Sequence, residues 1–270
     1  MGTTTKRYDT DLGDEEWAYI EPFVRAEQSQ YGPKIHISRR EVINAIRYLL
    51  RTGCQWRLIP NDFPNHSTVR HYYDVWRRNG TWQRINETLN QLVRMKKGKQ
   101  PTPSVLIVDS QSVKSSEMGG EVGFDGGKKI SGKKREFATD TLGNLHAAAV
   151  HAADIADCEG GKRALERIAA RKEAGAYPRL MLILADHVFG NGGFPSWVNE
   201  ELGCDVDIST KDPNQRRFIP FLLRWVVEQT ISILGRNRRL SKDYEYVNES
   251  SEALLYIASI GRSLRILTRE

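Results

Sequence analysis

Apolar residues recur every three or four positions through the first 95 residues, which is the spacing of amphipathic helices. Four short helices are predicted there, at about residues 14–24, 38–53, 67–78 and 82–93. The third helix carries Arg70, Arg77 and Arg78 on its outer face. Four short helices with a basic third helix resemble a DNA-binding helix-turn-helix arrangement. A plain helical bundle with a solvated basic face fits the same pattern equally well.

A polar segment with two prolines, residues 96–104, interrupts the apolar pattern and predicts a linker. After it, short runs of β-forming residues alternate with helical segments. Strands are predicted at residues 105–108, 136–139, 144–153, 180–184 and 205–208, and helices at 162–174, 194–202, 220–234 and 248–267. This order predicts an α/β fold with a mixed sheet flanked by helices. The chain would then divide into a helical region, residues 1–95, the linker, and an α/β region, residues 105–270.

The overall composition is that of an ordinary globular protein, with 39% hydrophobic and 27% charged residues. Cys54, Cys158 and Cys204 are widely separated, which predicts reduced thiols rather than disulfides or a metal site. No apolar run approaches the roughly 18 residues of a membrane helix. The first eight residues also lack the apolar segment of a secretory signal. These features favour a cytoplasmic protein without a membrane partner.

The formal net charge of +6 is concentrated in one part of the chain. Residues 34–100 contain 14 lysines and arginines against 4 acidic residues, whereas residues 101–270 contain 23 of each. A local excess of this kind favours binding to a polyanion, because lysine and arginine displace counterions from phosphates. Charge that only keeps the protein soluble is the alternative, and we favour nucleic acid over it.

Two buried strands are each predicted to end in an aspartate, Asp109 and Asp186. Carboxylates at the carboxyl ends of neighbouring strands face the same crevice, and they repel each other unless a divalent cation neutralises them. Mg²⁺ is held by one or two carboxylates together with phosphate oxygens and water. Two such ions about 4 Å apart can promote in-line displacement at a phosphodiester. The pair therefore indicates metal-dependent chemistry on phosphodiesters, although loop capping by either aspartate fits the pattern as well.

Glu228 is a candidate third acid, in the middle of a predicted helix. It falls near the edge of an apolar face that includes Leu222, Trp225 and Val226, so it could lean over the strand ends. Pairing with Arg224, one turn earlier, is the more frequent role of a glutamate in this position. The rival acids on the same half of the chain are interpreted as turn, loop or cap residues: Asp140, Asp154 and Asp157.

Several motifs follow one another in a distinctive order. They are Asp109-Ser-Gln-Ser-Val-Lys114, Gly127-Lys-Lys-Ile-Ser-Gly-Lys-Lys-Arg135, Ala138-Thr-Asp-Thr-Leu-Gly143, Val150-His-Ala-Ala-Asp154, Arg224-Trp-Val-Val-Glu228 and the segment 234–244. The first half adds the segments 49–60 and 67–73. Together these motifs resemble the bacterial insertion-sequence transposases of the IS-five family, over nearly the whole chain.

This resemblance implies an RNase H-like catalytic fold, preceded by a small all-α domain similar to a helix-turn-helix. It also implies a catalytic triad of Asp109, Asp186 and Glu228 that binds Mg²⁺ or Mn²⁺, as two ions. Water would attack a phosphodiester at the terminal inverted repeat of the element, and the freed 3′-OH would then attack double-stranded target DNA. A homodimer would hold two element ends together, in the cytoplasm of a bacterium and in association with its nucleoid.

Two further basic segments are predicted to contact the DNA backbone. The first, in a glycine-rich stretch before a predicted strand, consists of Lys128, Lys129, Lys133, Lys134 and Arg135. The second follows the helix of Glu228 and consists of Arg236, Arg238, Arg239 and Lys242. A solvated basic surface is the alternative for each segment.

Three residues near the triad depart from the family pattern: His187, Gln229 and Ser232. They keep open a second function, a catalytically weakened copy that binds inverted repeats as a repressor. A third possibility is a structure-selective nuclease on the same fold, which would cut DNA without joining it. The presence of all three triad carboxylates favours an active transposase.

Overall fold

The computed structural model describes residues 7–24, 37–116, 120–209 and 221–269, which form a six-stranded sheet with helices on both faces. The helices are α1 (Asp14–Val24), α2 (Arg39–Thr52), α3 (His66–Arg78), α4 (Thr81–Lys96), α5 (Asp157–Glu173), α6 (Phe194–Leu202), α7 (Phe221–Gly235) and α8 (Asn248–Thr268). The strands are β1 (Val105–Lys114), β2 (Gly123–Asp125), β3 (Ile130–Asp140), β4 (Leu145–Ala152), β5 (Leu182–Asp186) and β6 (Asp205–Ser209). No helix in these ranges is both long and apolar enough to cross a bilayer.

The first four helices are those that the apolar pattern predicts, and capping groups set their ends. α2 begins after Ser38, whose hydroxyl accepts a hydrogen bond from the Glu41 backbone N–H. It ends at Gly53, whose φ of 74° lies in the left-handed region that favours glycine. α3 begins after Asn65, whose side-chain oxygen accepts from the Ser67 N–H. Local sequence is therefore sufficient to define these elements.

β1 lies at the centre of the sheet, antiparallel to β3 on one side and parallel to β5 on the other. β6 continues the sheet beyond β5 in the parallel direction. β3 pairs on its other edge with β4 and the short β2, both antiparallel. α5 lies between β4 and β5 in the chain and provides the long crossover that a strand parallel to β1 requires. The predicted mixed sheet flanked by helices is confirmed.

Two strands are longer than the sequence pattern predicts. β1 continues past Asp109 to Lys114, and β3 begins at Ile130 rather than near Glu136. The two strands pair with each other along this whole length, so polar segments with little apolar alternation still find hydrogen-bond partners. The prediction that β1 ends at Asp109 is therefore wrong, and so is the prediction of a loop before residue 136.

The sheet has an apolar core on each face. Alternate residues of β1 divide between them, because side chains along a strand point to opposite faces. Leu106 and Val108 pack with residues of α5 and α6, whereas Ile107 packs with residues of α7 and α8. The core that contains Ile107 also includes the apolar faces of α1, α2, α3 and α4. The N-terminal helices and one face of the sheet therefore share a single core.

Buried polar contacts join α4 directly to the turn between β3 and β4. Arg94 Nη1 lies 2.6 Å from Asp140 Oδ2, and both side chains are almost fully buried. The amide groups of Asn86 and Asn90 each donate to the Leu145 carbonyl oxygen at 2.7 Å. The predicted boundary at residues 96–104 remains a prediction, but the helices before it pack against the sheet rather than apart from it.

Candidate active site

Asp109 and Asp186 lie side by side on neighbouring parallel strands. The last residue pair between β1 and β5 is Val108 with Ala185, and each aspartate is the next residue of its strand. Ile107 and Leu184, two residues earlier, belong to the core that α7 helps to form. Both aspartate side chains therefore point toward the α7 face, on strands about 5 Å apart. Asp186 ends β5, as predicted, whereas Asp109 lies within β1 at the point where its pairing with β5 stops.

Local donors orient both carboxylates, which are half-buried. Asp109 Oδ1 accepts a hydrogen bond from the Ser110 backbone N–H at 2.8 Å. Asp186 Oδ1 accepts from the His187 backbone N–H at 2.6 Å, and the ring nitrogen His187 Nδ1 lies 2.7 Å from the same oxygen. The exposed imidazole of His187, one of the departures from the family pattern, is thus a direct neighbour of the second aspartate.

Glu228 is exposed on α7, the helix that packs against β1. The inward face of α7 consists of Val226, Val227 and Thr230, and Leu234 continues it. Trp225, predicted to face the core, is instead 50% exposed and shares the outer face with Glu228. The prediction for Trp225 is therefore wrong. Three other predictions concern side chains or residues outside the described ones: the inward position of Leu222, the pairing of Glu228 with Arg224 and the helix start at Pro220.

The described residues contain no ready cluster of three His, Cys, Asp or Glu side chains that could hold a metal ion. What they do contain is a pair of carboxylates on adjacent strands, Asp109 and Asp186, beneath the helix that carries Glu228. An oxygen-only pair of this kind suits Mg²⁺ or Mn²⁺, which bind through one or two carboxylates and leave other positions to water and phosphate. The donor set therefore fits a divalent cation.

The turn between β2 and β3 brings a lysine to Ser110, the residue after Asp109. Lys128 Nζ lies 3.3 Å from both the carbonyl oxygen and the hydroxyl of Ser110. Asp125 holds this turn, because its Oδ1 accepts from the backbone N–H groups of Gly127 and Lys128, each at 3.0 Å. Burial alone would raise the pKa of Asp125, but hydrogen bonds from Ser112 and from Lys128 hold it below its ordinary value.

The role of Asp125 was not predicted from the sequence, although Asp-Gly-Gly is a typical turn signal. Lys128 and the next residue, Lys129, are exposed at the tip of this hairpin. Their contact with DNA stays a prediction, and the structure puts one of them within hydrogen-bond reach of the strand that bears the first aspartate.

The other basic residues predicted for this segment face inward. Lys133 Nζ donates to the Glu245 carbonyl oxygen, Lys134 pairs with Asp157, and Arg135 donates to the Leu240 carbonyl oxygen. All three side chains are buried, because β3 begins at Ile130 and draws them into the sheet. The prediction that Lys133, Lys134 and Arg135 grip DNA from an exposed loop is therefore wrong.

The remaining predicted DNA contacts divide by exposure. Arg236, Arg238 and Arg78 are at least partly exposed, whereas Arg239 is buried and binds Glu245 at 2.6 Å. The expectation of surface contact is therefore wrong for Arg239.

Acidic partners hold the two other arginines of α3. Arg70 pairs with Asp74 and Glu245 and stacks on Trp56, and Arg77 pairs with Asp74. Contact of Arg70 and Arg77 with DNA stays a prediction.

The rival acids have structural roles. Asp140 is fully buried in the turn after β3, where its carboxylate accepts from the Leu142 and Asn144 backbone N–H groups and from Arg94. Burial by itself would raise the pKa of Asp140, but His146, Asn144 and Arg94 together hold it far below its ordinary value. Asp157 begins α5 and pairs with Lys134. The interpretation of Asp140 as a turn residue is confirmed, whereas that of Asp157 as a loop or cap residue is wrong, because Ala156 is the N-cap of α5 and makes no side-chain cap hydrogen bond.

Comparison with known proteins gives a consistent result. Residues 12–86 match the family described as "Putative transposase of IS4/5 family", and residues 100–217 match the family described as "Transposase DDE domain". The chain is also 29% identical over 117 residues to the insertion element IS402 uncharacterized 16.2 kDa protein of Burkholderia cepacia, a match that covers 42% of this chain and 78% of that protein. No solved structure matches the chain.

Proposed function

Since this chain belongs to the DDE transposases of insertion sequences, we propose that it cleaves phosphodiester bonds at the terminal inverted repeats of its element and transfers the 3′-OH ends to target DNA. These transposases are divalent-metal-dependent enzymes that act on DNA and have an RNase H-like fold. The observation that carries this proposal is the juxtaposition of Asp109 and Asp186 on β1 and β5, beneath the helix of Glu228. We further propose Mg²⁺ or Mn²⁺ as two ions, held by these three carboxylates.

Asp109 and Asp186 supply the negative charge and the oxygen ligands of the centre. Their strands fix the backbone, and the N–H groups of Ser110 and His187 fix the direction of each carboxylate. The cations they hold would neutralise charge on the phosphodiester as it is attacked. Preorganised carboxylates on strands reduce the reorganisation that remains when DNA arrives, and positioning supplies much of the rate enhancement in phosphoryl transfer.

Glu228 and Lys128 act from the two sides of this pair. Glu228 is exposed on α7 and would complete the ligand set when metal and DNA occupy the centre. Lys128, at the tip of the hairpin, brings a positive charge to Ser110, directly after Asp109. A lysine at this place would bind a non-bridging phosphate oxygen of a DNA strand that continues past the edge of the sheet.

A cleavage assay tests the proposal. The full chain is mixed with a labelled duplex carrying the flanking element end, with Mg²⁺ or with EDTA, and the products are separated on a denaturing gel. We expect metal-dependent nicking at the element end, lost in both Asp109→Asn and Glu228→Gln, while the shift of the same duplex on a native gel is retained. Cleavage that survives in Asp109→Asn would show that the site is assigned wrongly.

Two alternatives give different products. A DNA-binding repressor derived from a transposase is the second candidate, favoured by the contact between His187 and Asp186 that occupies one carboxylate oxygen; it would shift the duplex without cutting it. A nuclease would cut the duplex but give no joined product with a supercoiled target plasmid. The same strand-transfer reaction, run with two differently labelled ends, tests a homodimer, which should join both ends to one target.

A further inference from the structure

Five arginines from three helices and their ends gather in and beside one cleft, whose lining does not include Asp109, Asp186 or Glu228. We call them the arginine cluster: Arg47, Arg51, Arg236, Arg265 and Arg269. Arg47 and Arg51 lie one turn apart on α2, and Arg265 lies in the last turn of α8. Arg236 follows the end of α7, and its carbonyl oxygen accepts a hydrogen bond from Arg51 Nη1 at 2.8 Å. Four of the five line one cleft of about 760 Å³, and Arg236 adjoins it.

Within the described residues, the arginine cluster makes few direct ion pairs. Within the described parts of the chain, one ion pair joins the cluster to an acidic side chain, and it connects Arg47 with Glu16 at 3.7 Å. Burial lowers the pKa of Arg265, and the charges of Arg269, Arg51 and Arg236 lower it further. Burial likewise lowers the pKa of Arg47, with Arg265 adding to the effect against the pull of Glu16. The side chains therefore repel one another at close range, and an anion between them would relieve that repulsion.

One donor of the cluster is buried without a partner. Arg47 Nη1 is shielded from solvent and makes no hydrogen bond to any described residue. Buried polar groups are nearly always satisfied, so an unsatisfied guanidinium nitrogen on a residue that lines a cleft indicates a missing acceptor. Arginine presents several donors in a planar fork that suits phosphate oxygens.

Acidic residues line the same cleft and must be weighed against this interpretation: Asp9, Asp14, Glu15 and Glu16. Asp14 pairs with Arg40 at 2.7 Å, and Glu16 accepts from the Gly13 N–H. These acids occupy the first turn of α1 or precede it, where the helix dipole favours negative charge. The arginines of the cleft come from α2 and the end of α8, and the acids come from α1 and the segment before it.

We propose that the arginine cluster is a second site for DNA backbone phosphates, separate from the carboxylate centre and resting on the proposed function. Its position supports a DNA strand as the source of the phosphate. Glu228 and Arg236 are eight residues apart, so α7 separates them by about 12 Å along its axis. That distance corresponds to three or four base-pair steps of duplex DNA at about 3.4 Å each. A duplex whose reacting phosphate lies at Glu228 would thus carry nearby phosphates past the cluster.

Salt-dependent binding of the full chain, measured in EDTA so that no cleavage occurs, tests the proposal. The probe is a fluorescein-labelled duplex carrying the element end, and the affinity is followed by anisotropy over a range of KCl concentrations. The double variant Arg51→Gln/Arg265→Gln should make the negative slope of log K against log [KCl] shallower by about 1.8, because each lost phosphate contact removes about 0.9 from its magnitude. The control double variant is Arg163→Gln/Arg179→Gln, which removes two exposed charges elsewhere and should leave the slope unchanged.

Thermal unfolding of each variant excludes a folding defect as the cause. Equal slopes for wild type and Arg51→Gln/Arg265→Gln would overturn the proposal, while metal-dependent cleavage by the wild type would leave the proposed function standing. If inorganic phosphate raises the melting temperature of wild type but not of the variant, and the slopes are equal, the cluster binds a free anion rather than DNA. Absence of any DNA binding by the wild type would overturn both proposals.

Discussion

Glu136 is a fully buried acid whose protonation is coupled to folding. It lies on β3 opposite Ser110, and its Oε1 is 3.1 Å from His151 Nε2 on the neighbouring strand β4. Burial raises the pKa of Glu136 to about 7, although the hydrogen bond and the charge of His151 act in the opposite direction. Its other carboxylate oxygen has no hydrogen-bond partner among the described residues. In the folded chain, this carboxyl group is therefore mainly protonated below about pH 7.

The pH dependence of stability follows from this shift. The pKa of Glu136 is higher in the folded chain than in the unfolded chain, so its contribution is fully present below pH 4.5 and is lost as the pH rises to about 7. Glu136→Gln keeps a hydrogen-bonding amide opposite His151 Nε2 but cannot titrate. We expect the unfolding free energy of wild type to fall relative to this variant, by on the order of 1 kcal/mol per pH unit across that window. Urea denaturation at several pH values between about 4.5 and 7.5 measures the difference, and parallel pH profiles would contradict the expectation.

The ion pair of Arg94 with Asp140 connects α4 to the sheet. Because both groups are buried, removal of the arginine leaves a carboxylate without its compensating charge. Arg94→Met should therefore lower the free energy of unfolding by about 3–5 kcal/mol. Arg84→Met, on the same helix but exposed, should change it by less than about 0.5 kcal/mol. Chemical denaturation of both variants measures the two changes in unfolding free energy. Equal decreases would show that the ion pair of Arg94 with Asp140 has no special role.

At the scale of elements, α5 packs closely on the sheet because it has a glycine where the contact is tightest. A Cβ at Gly160 would overlap His151 Nε2 and Glu136 Oε1. Gly160→Ala should destabilise the protein by about 1–3 kcal/mol, because the helix or the buried pair must shift. At Gly261 in α8, the Cβ that alanine adds would meet no described atom within 4 Å, so Gly261→Ala should stabilise by about 0.5–1 kcal/mol. If the urea midpoints of Gly160→Ala and Gly261→Ala moved in the same direction, the close packing of α5 on the sheet at Gly160 would be contradicted.

The elements that could be predicted from sequence are those whose local pattern agrees with their environment. α2 has an amphipathic pattern, a serine cap and a terminal glycine, and each of these signals is local. The first part of β3 lacks such a signal, because its Lys133, Lys134 and Arg135 resemble a solvated loop until buried acidic and carbonyl partners are known. Those partners lie as far away as residue 245, and no short-range pattern contains them.

In the candidate site, too, some features could be predicted from local sequence and others could not. Asp109 and Asp186 could be predicted to lie together because two apolar strands lead into them, and apolar strands of this kind tend to pair in the centre of a sheet. The face of α7 could not be predicted, because this helix is apolar on most sides and Trp225 fits either direction. Lys128 depends on a turn whose register is set by the pairing of β2 with β3.

At the scale of the whole molecule, the helical and the α/β regions depend on each other. α8, the last helix, packs against α4 and β4, and also contacts α1, α2 and α3. The core that contains Trp82 and Leu89 continues through Tyr256 and Leu264 of α8 into Ile107 of β1. Separate folding of residues 1–95 would expose the apolar face of α4 that α8 covers.

A fragment of residues 1–95 should therefore fail to fold by itself. Its helices are 11 to 16 residues long in the complete chain, and helices of this length are marginal in water without tertiary packing. We expect weak helical circular dichroism and no cooperative thermal transition in the fragment. The full chain should show one transition, with circular dichroism and tryptophan fluorescence changing together, because Trp82 lies in the shared core. A cooperative transition in the fragment would instead establish an independent domain that ends at the predicted linker.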